Sequence, residues 1–159
     1  MSLPLILVLH NVRSLHNVGA IFRSADGADV KQIILSGLTP TPPRHEISKT
    51  ALGATESISW QYLRDLAPKL KELKKAGYSI AALEQTSSAK NFYTQKVKLP
   101  LVLIVGHERE GIEKEILELC DLQLELPMLG KNAHSLNVSN ATSIALYELV
   151  RRFWYDKKS

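Results

Sequence analysis

The sequence predicts one α/β domain of three layers, a mainly parallel sheet held between two layers of helices. Three observations predict it. Short aliphatic runs alternate along the chain with helix-period patterns, as they do in successive β-α-β units. Two of the runs, Leu3 to Leu9 and Leu99 to Val105, are apolar without alternation, as strands buried on both faces must be. The length of 159 residues suits one ordinary domain, large enough to remove roughly 70% of its extended-chain surface from water.

Leu3 to Leu9 reads as the first strand, ended by polar His10-Asn11. Val18 to Phe22 and Ala25 to Ala28 then read as a helix with Asn17 as its N-cap. Lys31 to Ser36, carrying Ile33, Ile34 and Leu35, is a second strand. Gly37 to Pro43 holds three prolines and is expected to be an exposed loop. Beyond Ser57 to Leu63, Leu66, Leu70 and Leu73 form one stripe of an amphipathic helix that Gly77 ends. Tyr78 to Leu83 and Leu99 to Val105 are further strands. Glu113 to Leu119 is a short helix, Leu122 to Leu126 the last strand, and Ala141, Ala145, Leu146, Leu149 and Val150 mark a long C-terminal helix from Val138 onward.

Composition narrows the function classes. Cys120 is the single cysteine, so no internal disulfide forms and a cytoplasmic setting is expected. No apolar run reaches the length of a membrane span. Met1-Ser2-Leu3-Pro4 leads straight into an apolar segment without a basic leader, which is unlike a signal peptide. The net charge of +4 is compatible with a polyanionic partner and equally with a plain enzyme. The five histidines show no paired spacing of the kind that holds a metal.

Ligands of open parallel sheets sit beyond the carboxyl ends of the strands, and three polar stretches follow strand ends here. The first runs Asn11-Val12-Arg13-Ser14-Leu15-His16-Asn17-Val18-Gly19-Ala20-Ile21-Phe22-Arg23. Arg23 interrupts an apolar helical pattern, and its planar fork suits phosphate or carboxylate; it could equally pair with Asp26 three residues on. Arg13 and His16 add donors on the preceding loop. The second stretch is Gly106-His107-Glu108-Arg109-Glu110-Gly111-Ile112. There a strand-end glycine admits close backbone approach, and Glu108 could accept hydrogen bonds or orient a neighbour; an ordinary strand-to-helix turn would look the same. The third runs from Leu126-Pro127-Met128 through Ser135-Leu136-Asn137-Val138-Ser139-Asn140. One polar residue suffices to cap the helix that follows, and this segment supplies four, a surplus that suggests a site. Met128 and Leu136 offer apolar contact to an adenine or simply pack in the core.

Together and in this order the three stretches resemble the SpoU/TrmH family of RNA 2′-O-methyltransferases, within the SPOUT class. The matching patterns are N-x-R-S-x-H-N-x-G-x-I-x-R, G-x-E-x-x-G-I and L-P-M-x-G…S-L-N-V-S-x-A, and Lys49-Thr50-Ala51-Leu52-Gly53-Ala54 resembles a further family segment. The resemblance implies an α/β fold whose C-terminal segment is threaded into a trefoil knot, which periodicity cannot reveal. It implies S-adenosylmethionine as cofactor, held by Leu83, Gly106, Leu126, Met128, Ser135 and Leu136. It implies a functional polar set of Asn17, Arg23, Glu108, Ser135 and Asn137. It also implies a homodimer contacting through the C-terminal helix, where Phe153, Trp154 and Tyr155 suit an interface or intrachain packing. The chain resembles the minimal family form: a single domain over residues 1–159, without the N-terminal RNA-binding extension of many relatives.

The implied reaction is attack of a ribose 2′-oxygen on the sulfonium methyl, with the protein positioning the partners and managing one proton. The family pattern puts Arg23 forward as the base, but an arginine is a poor proton acceptor. A clamp on phosphate and on the developing alkoxide suits it better. His16 and His134 are alternative bases. RNA, tRNA in preference to rRNA, would gain much of its affinity from phosphate contacts, with Arg13, His16, Arg44, His45, Lys49 and Lys131 as candidates in loops near the motifs. A dinucleotide-binding or Rossmann-type enzyme would carry a glycine run after its first strand, where this chain has His10-Asn11-Val12-Arg13. A non-catalytic RNA-binding module and a SPOUT base methyltransferase are the remaining alternatives.

Overall fold

A computed structural model describes residues 2–156; Met1 and residues 157–159, part of the expected single domain, lie outside the described residues. Seven strands form one sheet: β1 (Leu3–His10), β2 (Val30–Ser36), β3 (Trp60–Leu63), β4 (Ser79–Leu83), β5 (Lys90–Asn91), β6 (Leu101–Val105) and β7 (Leu122–Glu125). Their order is β3-β2-β1-β6-β4-β7-β5, and every pairing is parallel. The expected three-layer α/β architecture is therefore the observed one. Six helices complete it: α1 (Leu15–Gly27), α2 (His45–Ala51), α3 (Ala54–Ser57), α4 (Ala67–Lys75), α5 (Lys114–Leu117) and α6 (Val138–Val150), the last running on into a π-helical turn at Arg151–Tyr155.

β1 shows why its sequence is continuously apolar. Leu3, Leu5, Leu7 and Leu9 face one core with Val18, Ile21 and Phe22 of α1 and Ala145, Leu146 and Leu149 of α6. Ile6 and Val8 face a second core with Leu70 and Leu73 of α4 and Ile116 of α5. Side chains alternate across a strand, so a strand covered on both faces needs apolar residues at every position. Truncating a fully buried leucine such as Leu7 to alanine costs about 2–5 kcal/mol. Among the described residues no helix is long and apolar enough to cross a membrane.

The structure corrects several local expectations. The N-cap of α1 is Ser14, whose hydroxyl accepts from the Asn17 backbone N–H at 3.2 Å; Asn17 lies inside the first turn and is buried. Gly37 to Pro43 forms no regular element, yet it is not wholly exposed. Thr39 is buried, donating to the Leu9 carbonyl and accepting from the Val12 N–H. Helices α2 and α3 and strand β5 went unread because each is too short to show a period. Edge strand β3 falls within the Ser57 to Leu63 stretch that the sequence left without an element.

The α1–α2 contact explains the Lys49 to Ala54 segment. Ala51 and Ala54 are buried, and the Thr50 hydroxyl donates to the His16 carbonyl at 3.1 Å. α2 crosses so close to Gly19 that a Cβ there would overlap Thr50 Oγ1 and the Ile47 carbonyl. Glycine is needed at that crossing for close backbone approach.

Candidate functional site

The strand order creates the crevice. From β1 the chain builds outward through β2 and β3, then crosses to β4 and leaves a gap that β6 fills later. Loops at such a reversal diverge and leave a cleft beyond the carboxyl strand ends. The segments after β1, β4, β6 and β7 meet there.

A first cleft, about 660 Å³ including its opening to solvent, is lined by Leu83, Glu84, Gln85, Val105, Gly106, His107, Glu108, Glu125, Leu126, Met128, Ser135, Leu136, Val138 and Ala141. All six residues expected to hold a cofactor are among them: Leu83, Gly106, Leu126, Met128, Ser135 and Leu136. Gly106 packs so closely that a Cβ on it would lie 2.6 Å from Ile112 Cγ1. Among the described residues, Glu84, Glu108 and Glu125 line this cleft together with His107, and no lysine or arginine borders it.

A second cleft shares Gly106, His107, Glu108 and Val138 with the first, and adds Val12, Arg13, Ser14, Asn17 and Arg109. Between the two stands a polar cluster that ties the three motif loops together. The Asn17 side-chain amide donates to Glu108 Oε1 at 2.7 Å. Asn137 donates from Nδ2 to Asn17 Oδ1 at 3.3 Å. The same Asn137 caps α6, its Oδ1 accepting from the Ser139 and Asn140 backbone N–H groups.

That cap accounts for part of the polar surplus after β7. Ser139 is buried and its hydroxyl also donates to Asn137 Oδ1, and Asn140 contributes a backbone N–H. Ser135 is the member of the group that reaches the first cleft. Of the four, Asn137 is the one whose side chain caps the helix and satisfies backbone donors otherwise left orphaned.

Arg23 is not part of this cluster. It lies six residues beyond Asn17 on α1, about 9 Å further along the helix at 1.5 Å per residue, and is exposed. It borders a third groove between α1, α2 and α6 with His16, Lys49, Thr50, Asn140, Ser143 and Tyr147. The alternative pairing with Asp26 does not form, and among the described residues Arg23 makes no ion pair. The candidate RNA contacts divide accordingly. Arg13 lies in the second cleft, His16 and Lys49 in the groove with Arg23, and Arg44 beside Glu46 at 3.9 Å. His45, Lys131 and His134 are exposed and border none of the three.

Several lining residues were missed in the sequence, His107, Arg109 and Glu84 among them. His107 Nδ1 accepts from the backbone N–H groups of Arg109 and Glu110, both at 3.1 Å, which leaves Nε2 as the ring's donor. Arg109 brings a second guanidinium to the cleft of Arg13. Glu84 accepts from the Ile112 N–H at 2.9 Å, and burial pushes its carboxyl above the ordinary range against the opposing pull of that bond. Its only sequence signal is its place, the first polar residue after an apolar strand.

Sequence spacing suggested no serine–histidine–acid grouping, yet the fold makes one. His10 bridges the Ser36 hydroxyl and Glu113, each at 2.8 Å. Ser36 is fully buried, so no substrate meets its hydroxyl, and the cluster serves as a brace between β1, β2 and the start of α5.

Comparison with known proteins places the chain in a family and matches its fold to solved structures. The model of the SpoU rRNA Methylase family matches residues 4–147. A 23S rRNA (guanosine-2′-O-)-methyltransferase of Pseudomonas putida is 38% identical over 152 residues, which is 94% of this chain and 59% of that protein. The chain spans about 60% of the length of such curated relatives. The solved TrmH/SpoU tRNA modifying enzyme of A. aeolicus superposes with a TM-score of 0.84 at 32% identity, covering 95% of this chain and 76% of that one. An AdoMet-bound rRNA methyltransferase from Sinorhizobium meliloti gives a TM-score of 0.85 at 27% identity, over 96% of this chain and 57% of that one. With a family pattern running from residue 4 to residue 147 and the motif loops gathered at one end of a shared sheet, this chain belongs to the SpoU rRNA methylase family.

Proposed function

We propose that the chain is an S-adenosylmethionine-dependent RNA ribose 2′-O-methyltransferase. The observation that carries this reading is the gathering of Leu83, Gly106, Leu126, Met128, Ser135 and Leu136 around one cleft beside the Asn17–Glu108–Asn137 cluster. The lining fits the cofactor's chemistry: aliphatic walls suit an adenine, and carboxylates without a lysine or arginine among them suit a ligand bearing sulfonium and ammonium charges. When bound, S-adenosylmethionine supplies an electrophilic methyl group on a positively charged sulfur.

The chain's own residues position the other reactant. Glu108 borders both clefts, and with Oε1 committed to Asn17 its Oε2 is left to accept from a substrate ribose hydroxyl. Arg13 and Arg109, in the second cleft, hold the adjacent phosphates with the bidentate geometry that guanidinium offers. Arg23, His16 and Lys49 grip the RNA backbone further out along their groove. Positioning of this kind accounts for a large part of the rate in a two-reactant transfer.

The reading includes the trefoil threading of the C-terminal segment and a homodimer joined along α6, supported by the exposed Ile144 and Tyr147 on that helix. Phe153 packs against the main core of its own chain. Transfer RNA is the favoured substrate, supported by the tRNA modifying enzyme of which this chain covers 76%; the guanosine methyltransferase relatives support ribosomal RNA instead. Calorimetric titration with S-adenosylmethionine tests the cofactor assignment. The chain binds, and Gly106→Ala weakens binding at least tenfold because the new methyl drives the loop away from Ile112. Absence of binding to the unaltered chain contradicts the reading.

A further inference from the structure

Glu84 leads β4 into the first cleft and is half-buried there. One carboxylate oxygen, Oε2, accepts from the Ile112 N–H at 2.9 Å. Among the described residues no lysine, arginine or histidine pairs with it, and Oε1 has no hydrogen bond. A carboxylate offers about four acceptor sites, so Glu84 keeps acceptor capacity for a ligand in the cleft it lines. Leu83, Val105, Leu126 and Leu136 line the same cleft.

The contact with the neighbouring loop is built rather than incidental. Gly111 has φ +68°, and a Cβ there would lie 2.9 Å from Glu84 Oε1 and 3.0 Å from Oε2. A residue with a side chain would be strained in that conformation and would also push the carboxylate off the loop. The chain therefore closes glycine against acid at the cleft wall. Burying part of a carboxylate without a cation is unfavourable. A ligand that donates hydrogen bonds offsets that cost; a ligand without donors does not.

We infer that Glu84 is the residue that recognises a nucleoside ligand's ribose edge: Oε2 holds the Gly106–Ile112 loop and Oε1 accepts from a ribose hydroxyl of the cofactor. The inference rests on the proposed cofactor. It assigns Glu84 two linked functions, ligand selection and fixing the loop that carries Gly106 and Glu108.

The test is calorimetric binding of S-adenosylhomocysteine and its 2′-deoxy and 3′-deoxy analogues to the unaltered chain, to Glu84→Gln and to Glu84→Asp. Hydrogen bonds to ionised groups are the strong ones, so the unaltered chain binds one deoxy analogue about tenfold or more weaker than the parent. In Glu84→Gln the parent weakens by a similar factor and the deoxy penalty shrinks toward none, a coupling that a purely structural carboxylate does not produce. Glu84→Asp, shortened but still ionised, falls between. Equal weakening of parent and deoxy ligands by Glu84→Gln overturns the inference. So does indifference of the unaltered chain to both deoxy changes, whether or not either variant folds. Failure of the unaltered chain to bind S-adenosylhomocysteine and S-adenosylmethionine alike removes the cofactor reading itself.

Discussion

Asn17 and Glu108 stand 91 residues apart in sequence and are joined by a 2.7 Å hydrogen bond from amide to carboxylate. Asn17 is buried in the first turn of α1, so its orientation is set by packing and passed on to a carboxylate at the cleft mouth. Asn137 completes the chain of contacts while capping α6. The cluster thus couples the folding of two helices to the placement of Glu108.

Asn17→Ala removes the donor to Glu108 and the acceptor of Asn137, and is expected to lower stability by about 1–3 kcal/mol. Glu108→Ala alone is milder, because Glu108 is exposed. In urea unfolding the double variant loses less than the sum of the singles, with a coupling of about 0.5–1.5 kcal/mol. Strict additivity contradicts the link.

How far the sequence was legible follows from the same residues. The long strands and helices were readable because they are buried on defined faces, β1 on two and α6 on one. Asn17 was misread as a cap because local pattern cannot distinguish an asparagine that caps from one that reaches a distant partner. Its partner Glu108 comes from another loop. Glu84, His107 and Arg109 join the clefts through strand order, and a strand inserted late between two earlier ones leaves no local trace. The resemblance named Leu83, Gly106, Leu126, Met128, Ser135 and Leu136, which line one cleft, and Arg23, which borders a separate groove.

Arg23 is expected to act on RNA through its charge and fork. Arg23→Ala lowers turnover across the whole accessible pH range without changing the shape of the profile, and reduces the dependence of log K on log salt by about 0.7–0.9. Arg23→Lys restores part of the salt dependence and less of the activity, because a point charge replaces a bidentate donor. Activity that rises with pH through one ionisation, lost in Arg23→Ala, identifies a base instead.

Glu148 is expected to contribute to the acid limb of stability. The Arg151 hydrogen bond, with Arg152 adding a second, holds its carboxyl below the ordinary value of 4.5 despite some opposing desolvation. Arg152 also donates to the Phe92 and Gln95 carbonyls and so ties the C-terminal turn to the segment after β5. A depressed carboxyl contributes stability above its unfolded value and loses it as pH falls through the folded one. Urea unfolding between pH 6 and about pH 3 should show the unaltered chain losing stability more steeply than Glu148→Gln below about 4.5. Parallel pH profiles contradict that assignment.

One assay reaches ribose methylation directly. Labelled methyl is transferred from S-adenosylmethionine to total RNA, which is then digested and its nucleosides resolved by mass spectrometry. A 2′-O-methylated nucleoside is expected, formed by the unaltered chain and strongly reduced by Glu108→Ala and Arg23→Ala. Methyl carried on a base, or no labelled nucleoside from a chain that binds the cofactor, contradicts it.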